Sequence, residues 1–598
     1  MTKNSLLREI IFPTSVIILL TAIAYSNTFS NSFHFDDRYA IFEDRAIRDI
    51  GNIPSMFKDM LNRPLLRITF ALNYHFGGFD VFGYHLVNLL LHIIAGISVY
   101  FLAKLLFERM GGHGNSVSFA LLAGLIFALH PVQTGSVTYI ASRSAVLAAI
   151  FYVLSVILFI LGSERNGSKM VFFHIGAFLS FLMALGSKET AATVPFIVLM
   201  LPFFLMTAKH RRNITLPLLW LMALPVYALI RYLVSQNVVP VDTRFSYSEI
   251  LPPYQYLLTE VNVVIYYYLK WLFFPVNGPN ADPDIPAETS FIDISTIAAS
   301  LVIACIVYMA IRFRREVTVV SFGIFWYFIT LIPTSSIFPI ADVAVERHLY
   351  LPSIGFAFVS AYLLMKIKEL LPSKIWFLPY IIPLIMIVIT IQTNSVWKNG
   401  ITLWEDAARK SPNKIRALGN RAFAYLESGN LNMAEMLYHD FLKRFPNDPF
   451  GYNNTGLILE KKGDVLSAIK YYREAVNLKP KYWRFHMHLG NAYSQNGFMV
   501  EAVSELQIAV NLEPLNPEPM IMLASLLAKQ GETDSVIIIA NKALSIESEN
   551  VEAYLLLGIS YEKKGMREEA IKFYKKALEL NPGWRESLTE RIKTMTGN

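Results

Sequence analysis

Several short polar stretches interrupt an otherwise apolar chain, and each carries residues able to do acid–base or anion-binding chemistry. The first is Phe33-His34-Phe35-Asp36-Asp37-Arg38-Tyr39. Two adjacent carboxylates flanked by aromatics are costly beside a bilayer unless they are used or neutralised. Asp36 or Asp37 could act as a general base on an acceptor hydroxyl, a role that partial burial favours by raising the carboxyl pKa. The plainer alternative has one of them cap a helix and the other pair with Arg38. Next come Asn62-Arg63-Pro64-Leu65 and Asn73-Tyr74-His75-Phe76-Gly77-Gly78, ahead of His85, Asn88 and His92 at helical spacing. His85 and His92 stand two turns apart, about 10.5 Å, too far to share one ion. Polar contacts between bundled helices suit them better.

Three further stretches complete the set. Leu129-His130-Pro131-Val132-Gln133 runs on to Tyr139-Ile140-Ala141-Ser142-Arg143. Ser187-Lys188-Glu189-Thr190 lies between two apolar runs, where Lys188 and Glu189 could simply pair with each other. Glu346-Arg347-His348 meets the end of an apolar run, where a lone arginine needs an anionic partner. A phosphate would serve, because a guanidinium offers paired donors that match its oxygens.

The elements that position these residues follow from composition. The chain has 598 residues, 54% hydrophobic and only 17% charged, with a mean hydropathy of +0.41. A soluble chain usually carries about 25% charged residues, so much of this one belongs in lipid. The single cysteine, Cys305, excludes an intramolecular disulfide and a cysteine-based zinc site. Candidate spans are 10–27, 82–107, 117–131, 144–162, 170–186, 190–208, 214–234, 294–312, 317–333, 348–366 and 374–393. The first of them reads as a retained span, since no clear small-residue cleavage site follows it.

The basic clusters are Lys3/Arg8, Lys104/Arg109, Arg165/Lys169, Lys209/Arg211/Arg212, Arg312/Arg314/Arg315 and Lys366/Lys368/Lys374. A cytoplasmic N-terminus with about eleven spans places all of them inside. That threading requires the segment 257–275, rich in Tyr266, Tyr267, Tyr268, Lys270 and Trp271, to lie in the interface or re-enter. The loops 28–81, 131–143, 187–189, 235–293 and 334–347 then share the extracytoplasmic face, and so does everything after the last span. Asp36/Asp37, Arg143, Lys188/Glu189 and Glu346/Arg347/His348 converge there, as a site for an anionic lipid-linked substrate and a proton acceptor. The expected setting is a plasma or inner membrane, with no call for nucleic acid.

Beyond residue 395 no run is long enough to span, and a repeat of 34 residues takes over. Pro412, Pro446, Pro480, Pro514 and Pro582 keep this comb, as do the rows Ala434, Ala468, Ala502, Ala570 and Ala475, Ala509, Ala543, Ala577. Gly456, Gly490 and Gly558 form another row. This is the tetratricopeptide helix-turn-helix pattern. The reading is an all-α chain: a polytopic membrane domain over 1–395, then tetratricopeptide repeats over 396–598. About five repeats span 415–584, the fourth degenerate with Ser548 at the proline position, after a half repeat over 397–412. Such an array offers a groove for a polypeptide partner, or else only stiffens or oligomerises the protein.

At these residues the chain resembles the transmembrane and tetratricopeptide-repeat O-mannosyltransferases. The runs that carry the likeness are Phe35-Asp36-Asp37, Arg63-Pro64-Leu65, His85-Leu86-Val87-Asn88-Leu89-Leu90-Leu91-His92, Leu129-His130-Pro131-Val132, Ser187-Lys188-Glu189 and Glu346-Arg347-His348-Leu349-Tyr350-Leu351-Pro352-Ser353-Ile354-Gly355. The resemblance implies a membrane glycosyltransferase of the C superfamily (GT-C) with a polyprenyl-phosphate sugar donor. It also implies an acidic residue of the first outer loop at the reaction centre, matching Asp36/Asp37. Two departures stand out: a short repeat array, which fits a bacterial or archaeal member, and Gln133-Thr134-Gly135-Ser136 where His-Thr-Glu-Ala is more usual.

The expected mechanism is a single inverting displacement. Asp37 or Asp36 deprotonates a Ser or Thr hydroxyl of a polypeptide presented by the repeats. Arg347, Arg143, Lys188 and His348 hold the donor phosphate, with Glu189, Glu346, His130 and Arg63 in support. Arginine and lysine can neutralise the leaving phosphate without a metal cofactor; a divalent ion on Asp36/Asp37 stays open as an alternative. Two other readings compete: a noncatalytic membrane-anchored scaffold, and a transferase of the same fold acting on a lipid or glycan.

Overall fold

The computed structural model describes residues 6–58, 63–112, 115–205, 215–235, 251–276, 279–375 and 377–596. Lys3, Asn62, Lys209, Arg211 and Arg212, used above, lie outside these ranges. Among the described residues every regular element is helical, and the chain divides into two compact units, Met1–Ala417 and Leu418–Asn598.

In the first unit all eleven expected segments contain helix. Among the described residues six helices are long and apolar enough to cross a membrane: Leu7–Ala24, Val81–Arg109, Ile140–Ser163, Gly167–Ser187, Ile294–Arg312 and Leu378–Val396. The pair Ser116–Leu129 and Pro131–Val137, bent by 51°, makes a seventh if counted as one span. Glu189–Phe204, Thr215–Leu229 and Thr318–Leu331 are apolar but shorter. Residues 253–273 form a continuous helical stretch that does not qualify as a span, its Trp271 and Tyr268 buried and Tyr266 exposed. Small residues let the helices approach: a Cβ on Gly355 would collide with the backbone at Gly323, where Pro352–Leu370 crosses Thr318–Leu331.

The bend at residue 130 has a local cause. Pro131 has no N–H to donate and disfavours helical geometry in the residue before it, so the first helix stops. The carbonyls this frees are taken up by side chains: Thr390 donates to Leu129 O at 2.7 Å, and Gln133 donates to Phe127 O at 3.1 Å. His130 accepts the Val132 N–H on Nδ1 at 3.1 Å and donates from Nε2 to Leu272 O at 2.9 Å. Its employment is therefore to shape this corner. The first unit also takes in Gly400–Lys410, so the helix of the half repeat packs with the membrane helices.

The second unit is built of helix pairs. After Ile415–Glu427, which begins at the unit boundary, come Leu431–Arg444, Pro449–Lys461, Val465–Leu478, Trp483–Gln495, Met499–Leu512, Pro517–Gln530, Thr533–Ile546, Val551–Lys563 and Arg567–Leu580. Gly429, Gly463, Gly497, Gly531 and Gly565, each 34 residues on from the last, turn at positive φ between the two helices of each repeat. The fourth repeat turns like the others despite its degenerate sequence. Gly456 and Gly558 face Tyr472 and Tyr574 so closely that a Cβ would meet either ring within 2.6 Å.

Candidate functional site

The polar stretches separated in sequence come together at one end of the first unit. Asp36 is exposed, and its backbone N–H donates to Tyr139 Oη at 3.0 Å. The Arg347 guanidinium lies 5.9 Å above the same Tyr139 ring. Around Asp36 the rings of Phe35, Tyr139, Trp397 and Trp404 form an aromatic wall, with Phe35 edge-on to Tyr139 at 5.6 Å and to Trp404 at 5.5 Å. Phe35 (φ 47°), in this cluster, and Arg63 (φ 52°), which binds Glu189, are the two non-glycine residues at positive φ among the described residues. Such backbone costs about 1–3 kcal/mol each and gathers where a side chain must be aimed.

Asp37 behaves differently from its neighbour. It is fully buried, accepting the His34 N–H on Oδ2 at 2.8 Å and the Ala141 N–H on Oδ1 at 2.6 Å. Burial pushes its carboxyl up to about 7 against the pull of those two donors. Asp37 thus joins the first loop to the start of the helix Ile140–Ser163, and Asp36 is left as the carboxylate open to a substrate. Neither aspartate pairs with Arg38, which binds Glu43 at 3.0 Å.

Arg347 donates to Asp342 at 2.6 Å, an anionic partner absent from the sequence expectation. Burial, which would raise the Asp342 carboxyl, is outweighed by Arg347 and Arg416, and it sits at about 2. Arg416 binds the buried Asp282 through Nε at 2.9 Å and Nη2 at 2.6 Å, and reaches Asp342 at 3.1 Å. Glu189, beside Lys188 in sequence, accepts from Arg63 at 3.2 Å. Burial, reinforced by Arg63, lowers the half-buried Lys188 to about 7.

Two members of the expected phosphate-binding set need correction. Arg143 is 0% exposed and spends its donors inside the bundle, on Asn88 Oδ1 at 2.5 Å, Thr69 Oγ1 at 2.9 Å and Tyr84 O at 3.0 Å. Its guanidinium also stacks 4.7 Å over Phe70. It ties the helices Pro64–Gly77 and Val81–Arg109 to its own, with its guanidinium enclosed by them. His348 is buried with Nδ1 on Tyr268 Oη at 2.9 Å, and burial with Arg347 and Lys188 nearby keeps it neutral. It can offer a hydrogen bond there but no charge.

Glu346 also turns inward. Its Oε2 accepts the Gly135 N–H at 2.8 Å and the Thr134 hydroxyl at 3.1 Å. A Cβ on Gly135 would lie 2.5 Å from that oxygen, so glycine is what admits the carboxylate. Burial pushes Glu346 up to about 7. It also borders a cavity of about 220 Å³ shared with Trp397, Gln392, Asp406, Arg409 and Lys410. His85 and His92 make helix-to-backbone and helix-to-helix contacts, to Asn31 O at 2.9 Å and to Tyr350 Oη at 2.8 Å. Among the described residues no three His, Cys, Asp or Glu side chains are placed to hold a metal.

Sequence reasoning missed Asp342, Asp282, Arg416 and the two tryptophans, and it named Tyr139 within a polar stretch without giving it a role. Asp342 carried a readable signal, a charge five residues before Arg347 in a short loop between two apolar runs. Tyr139 and Trp397 carried none, because an aromatic at the end of a span is ordinary.

Comparison with known proteins extends this picture. Residues 551–583 match the family model "Tetratricopeptide repeat" and residues 456–497 the model "TPR repeat". The human protein O-mannosyl-transferase TMTC3 is 25% identical over 530 residues, covering 80% of this chain and 56% of its own length. The Caenorhabditis elegans protein O-mannosyl-transferase F38B6.6 is 25% identical over 454 residues, 72% of this chain and 62% of its own. Drosophila melanogaster Tmtc3 is 23% identical over 552 residues, 78% and 58% respectively. The chain therefore spans little more than half the length of the curated relatives it matches. By this likeness, its apolar helices and its repeats, the chain is a homologue of the transmembrane and tetratricopeptide-repeat protein O-mannosyl-transferases.

Proposed function

We propose that the protein is a membrane glycosyltransferase that moves a sugar from a polyprenyl-phosphate donor to Ser or Thr hydroxyls of a polypeptide. The observation that carries this reading is the convergence of two residues on Tyr139: the exposed Asp36, held there by its backbone N–H, and Arg347, whose guanidinium lies over the ring. One group suits the removal of a proton and the other the reception of a phosphate.

In this mechanism Asp36 takes the hydroxyl proton as the acceptor oxygen attacks the anomeric carbon. The bond from that carbon to the phosphate oxygen breaks, and the electron pair leaves with polyprenyl phosphate. A single displacement of this kind inverts the anomeric configuration. Negative charge gathers on the leaving phosphate, where Arg347 and the protonated Lys188 lie in a partly buried, weakly screening setting. Arg63 holds Glu189 and so leaves the Lys188 ammonium to the substrate. The exposed Phe35 and the part-exposed Trp404 supply flat apolar surface for a sugar ring, with the buried Trp397 packed behind Phe35. The repeats are the part suited to presenting the acceptor polypeptide. Orientation follows from the basic clusters: N-terminus cytoplasmic, site and repeats outside.

The test is transfer by the full-length protein in detergent, with polyprenyl-phosphate hexoses and a Ser/Thr-rich peptide, read by peptide mass. A hexose increment made by the wild type and lost in Asp36→Asn and in Arg347→Ala is the expected result. Equal transfer by wild type and both variants refutes the assignment. An increment on lipid alone moves the acceptor from protein to lipid, and no product from any donor favours a scaffold.

A further inference from the structure

Arg347 is one end of a row of four charged side chains. Asp342 accepts from Arg347 on Oδ2 at 2.6 Å and from Arg416 on Oδ1 at 3.1 Å. Arg416 then grips Asp282 with both arms of its fork, at 2.6 and 2.9 Å. Asp282 is only 1% exposed, and the side chains of Arg416 and Asp342 are 20% and 26% exposed. Little solvent screens this row, so each charge is felt by the next.

We propose that Arg416 is a positioning residue for the donor phosphate, acting on Arg347 through Asp342. This rests on the reading of Arg347 as the phosphate-binding group. Asp342 alone would form a closed pair with Arg347 and cancel the charge a phosphate needs. With Arg416 bound to its other oxygen, Asp342 is shared. Arg347 stays oriented over Tyr139 while its charge remains available. The alternation of Asp282, Arg416, Asp342 and Arg347 also keeps the row neutral overall, so an arriving phosphate meets no excess of carboxylate. A lysine at 416 could keep the charge but could not hold Asp282 with two arms and Asp342 with a third nitrogen.

The experiment uses the full-length protein in detergent, with undecaprenyl phosphate and undecaprenol as probes, each titrated by native mass spectrometry. Wild type is expected to bind the phosphate at least ten-fold more tightly than the alcohol. Arg416→Gln is expected to lose about ten-fold in phosphate binding with no change for the alcohol, and Arg416→Lys about three-fold. The decisive variant is Asp342→Asn/Arg416→Gln. Removing the carboxylate that has captured Arg347 should restore phosphate binding to within about three-fold of wild type. A merely structural Arg416 predicts the opposite, since deleting a second contact of the same row would add damage.

Wild-type phosphate binding in Arg416→Gln overturns the proposal, and so does equal loss of phosphate and alcohol binding or a double variant worse than the single. If Arg416→Gln does not purify folded, Arg416→Lys decides, and unchanged phosphate binding there overturns it. A wild type that does not distinguish phosphate from alcohol refutes the donor-phosphate reading itself.

Discussion

Asp37 and Ala141 are 104 residues apart in sequence and joined by a 2.6 Å hydrogen bond from the Ala141 N–H to the Asp37 carboxylate. The other carboxylate oxygen takes the His34 N–H, so one side chain fixes the path of the loop that carries Asp36. The neighbours thus divide the work. Asp37 sets the backbone, and Asp36, one residue earlier and turned to the open side, is free to meet a hydroxyl.

That division predicts opposite phenotypes for the two conservative variants. Asparagine at 37 offers one acceptor where two N–H groups wait, and leaving a buried donor unpaired costs about 1–3 kcal/mol. Asp37→Asn should lower the thermal midpoint of the purified protein and reduce transfer through misplacement. Asp36→Asn should leave the midpoint unchanged and abolish transfer. Differential scanning fluorimetry beside the peptide assay separates them, and equal loss of stability in both variants would remove the distinction.

Lys188 gives a pH signature with two opposed signs. Its folded-state pKa of about 7 lies below the value of about 10.4 for an exposed lysine. Between these values the unfolded chain binds a proton that the folded protein does not, so this residue's contribution makes stability rise with pH from about 7 upward. Phosphate binding runs the other way, because the ammonium is present only below that pKa, although a bound phosphate would raise it. Donor-phosphate affinity should therefore fall several-fold from pH 6 to pH 8.5. Lys188→Arg, charged throughout, should flatten that profile; an unchanged slope in the variant would take Lys188 out of the site.

How far the sequence revealed the site depends on what each residue touches. The repeats were fully legible, because every unit reuses the same packing and so the same spacing. The spans were legible as segments, though several helices are shorter than a membrane crossing needs. Asp36, Lys188 and Arg347 could be placed on one face by counting spans alone. Arg143 could not be told apart from them, since a buried structural arginine and a ligand-binding one look alike until Asn88, Thr69 and Tyr84 are seen around it. Arg347's partner, Asp342, and the row behind it depend on Arg416, whose place beside loops more than 70 residues away no local pattern records.

Gly135 and Glu346 form a matched pair. The departure noted at 133–136 gains a physical reading here, as the absence of a side chain at 135 leaves the room that the Glu346 carboxylate fills. Gly135→Ala should expel that carboxylate from its N–H and hydroxyl donors, at a cost of about 1–3 kcal/mol for overpacking a closed site. Displacing Glu346 drags on its neighbour Arg347, so phosphate binding should weaken as well. A variant with wild-type melting and binding would show that the corner yields without strain.

Arginines 143 and 347 supply the last contrast. At 143 the guanidinium reaches three acceptors in three directions and lies on Phe70, an arrangement a lysine cannot copy. Losing two hydrogen bonds from a buried cation removes about 3 kcal/mol or more, at roughly 1.5–3 kcal/mol each. Arg143→Lys should accordingly lower the unfolding temperature, while the protein that remains folded keeps its affinity for undecaprenyl phosphate. Arg347→Lys should do the reverse, keeping stability and losing the paired donors that match a phosphate. Measuring melting and phosphate-lipid binding on both variants tests the assignment in one experiment. If Arg143→Lys lost phosphate binding without losing stability, the buried arginine would return to the substrate site, and the bundle would have to open to admit the donor.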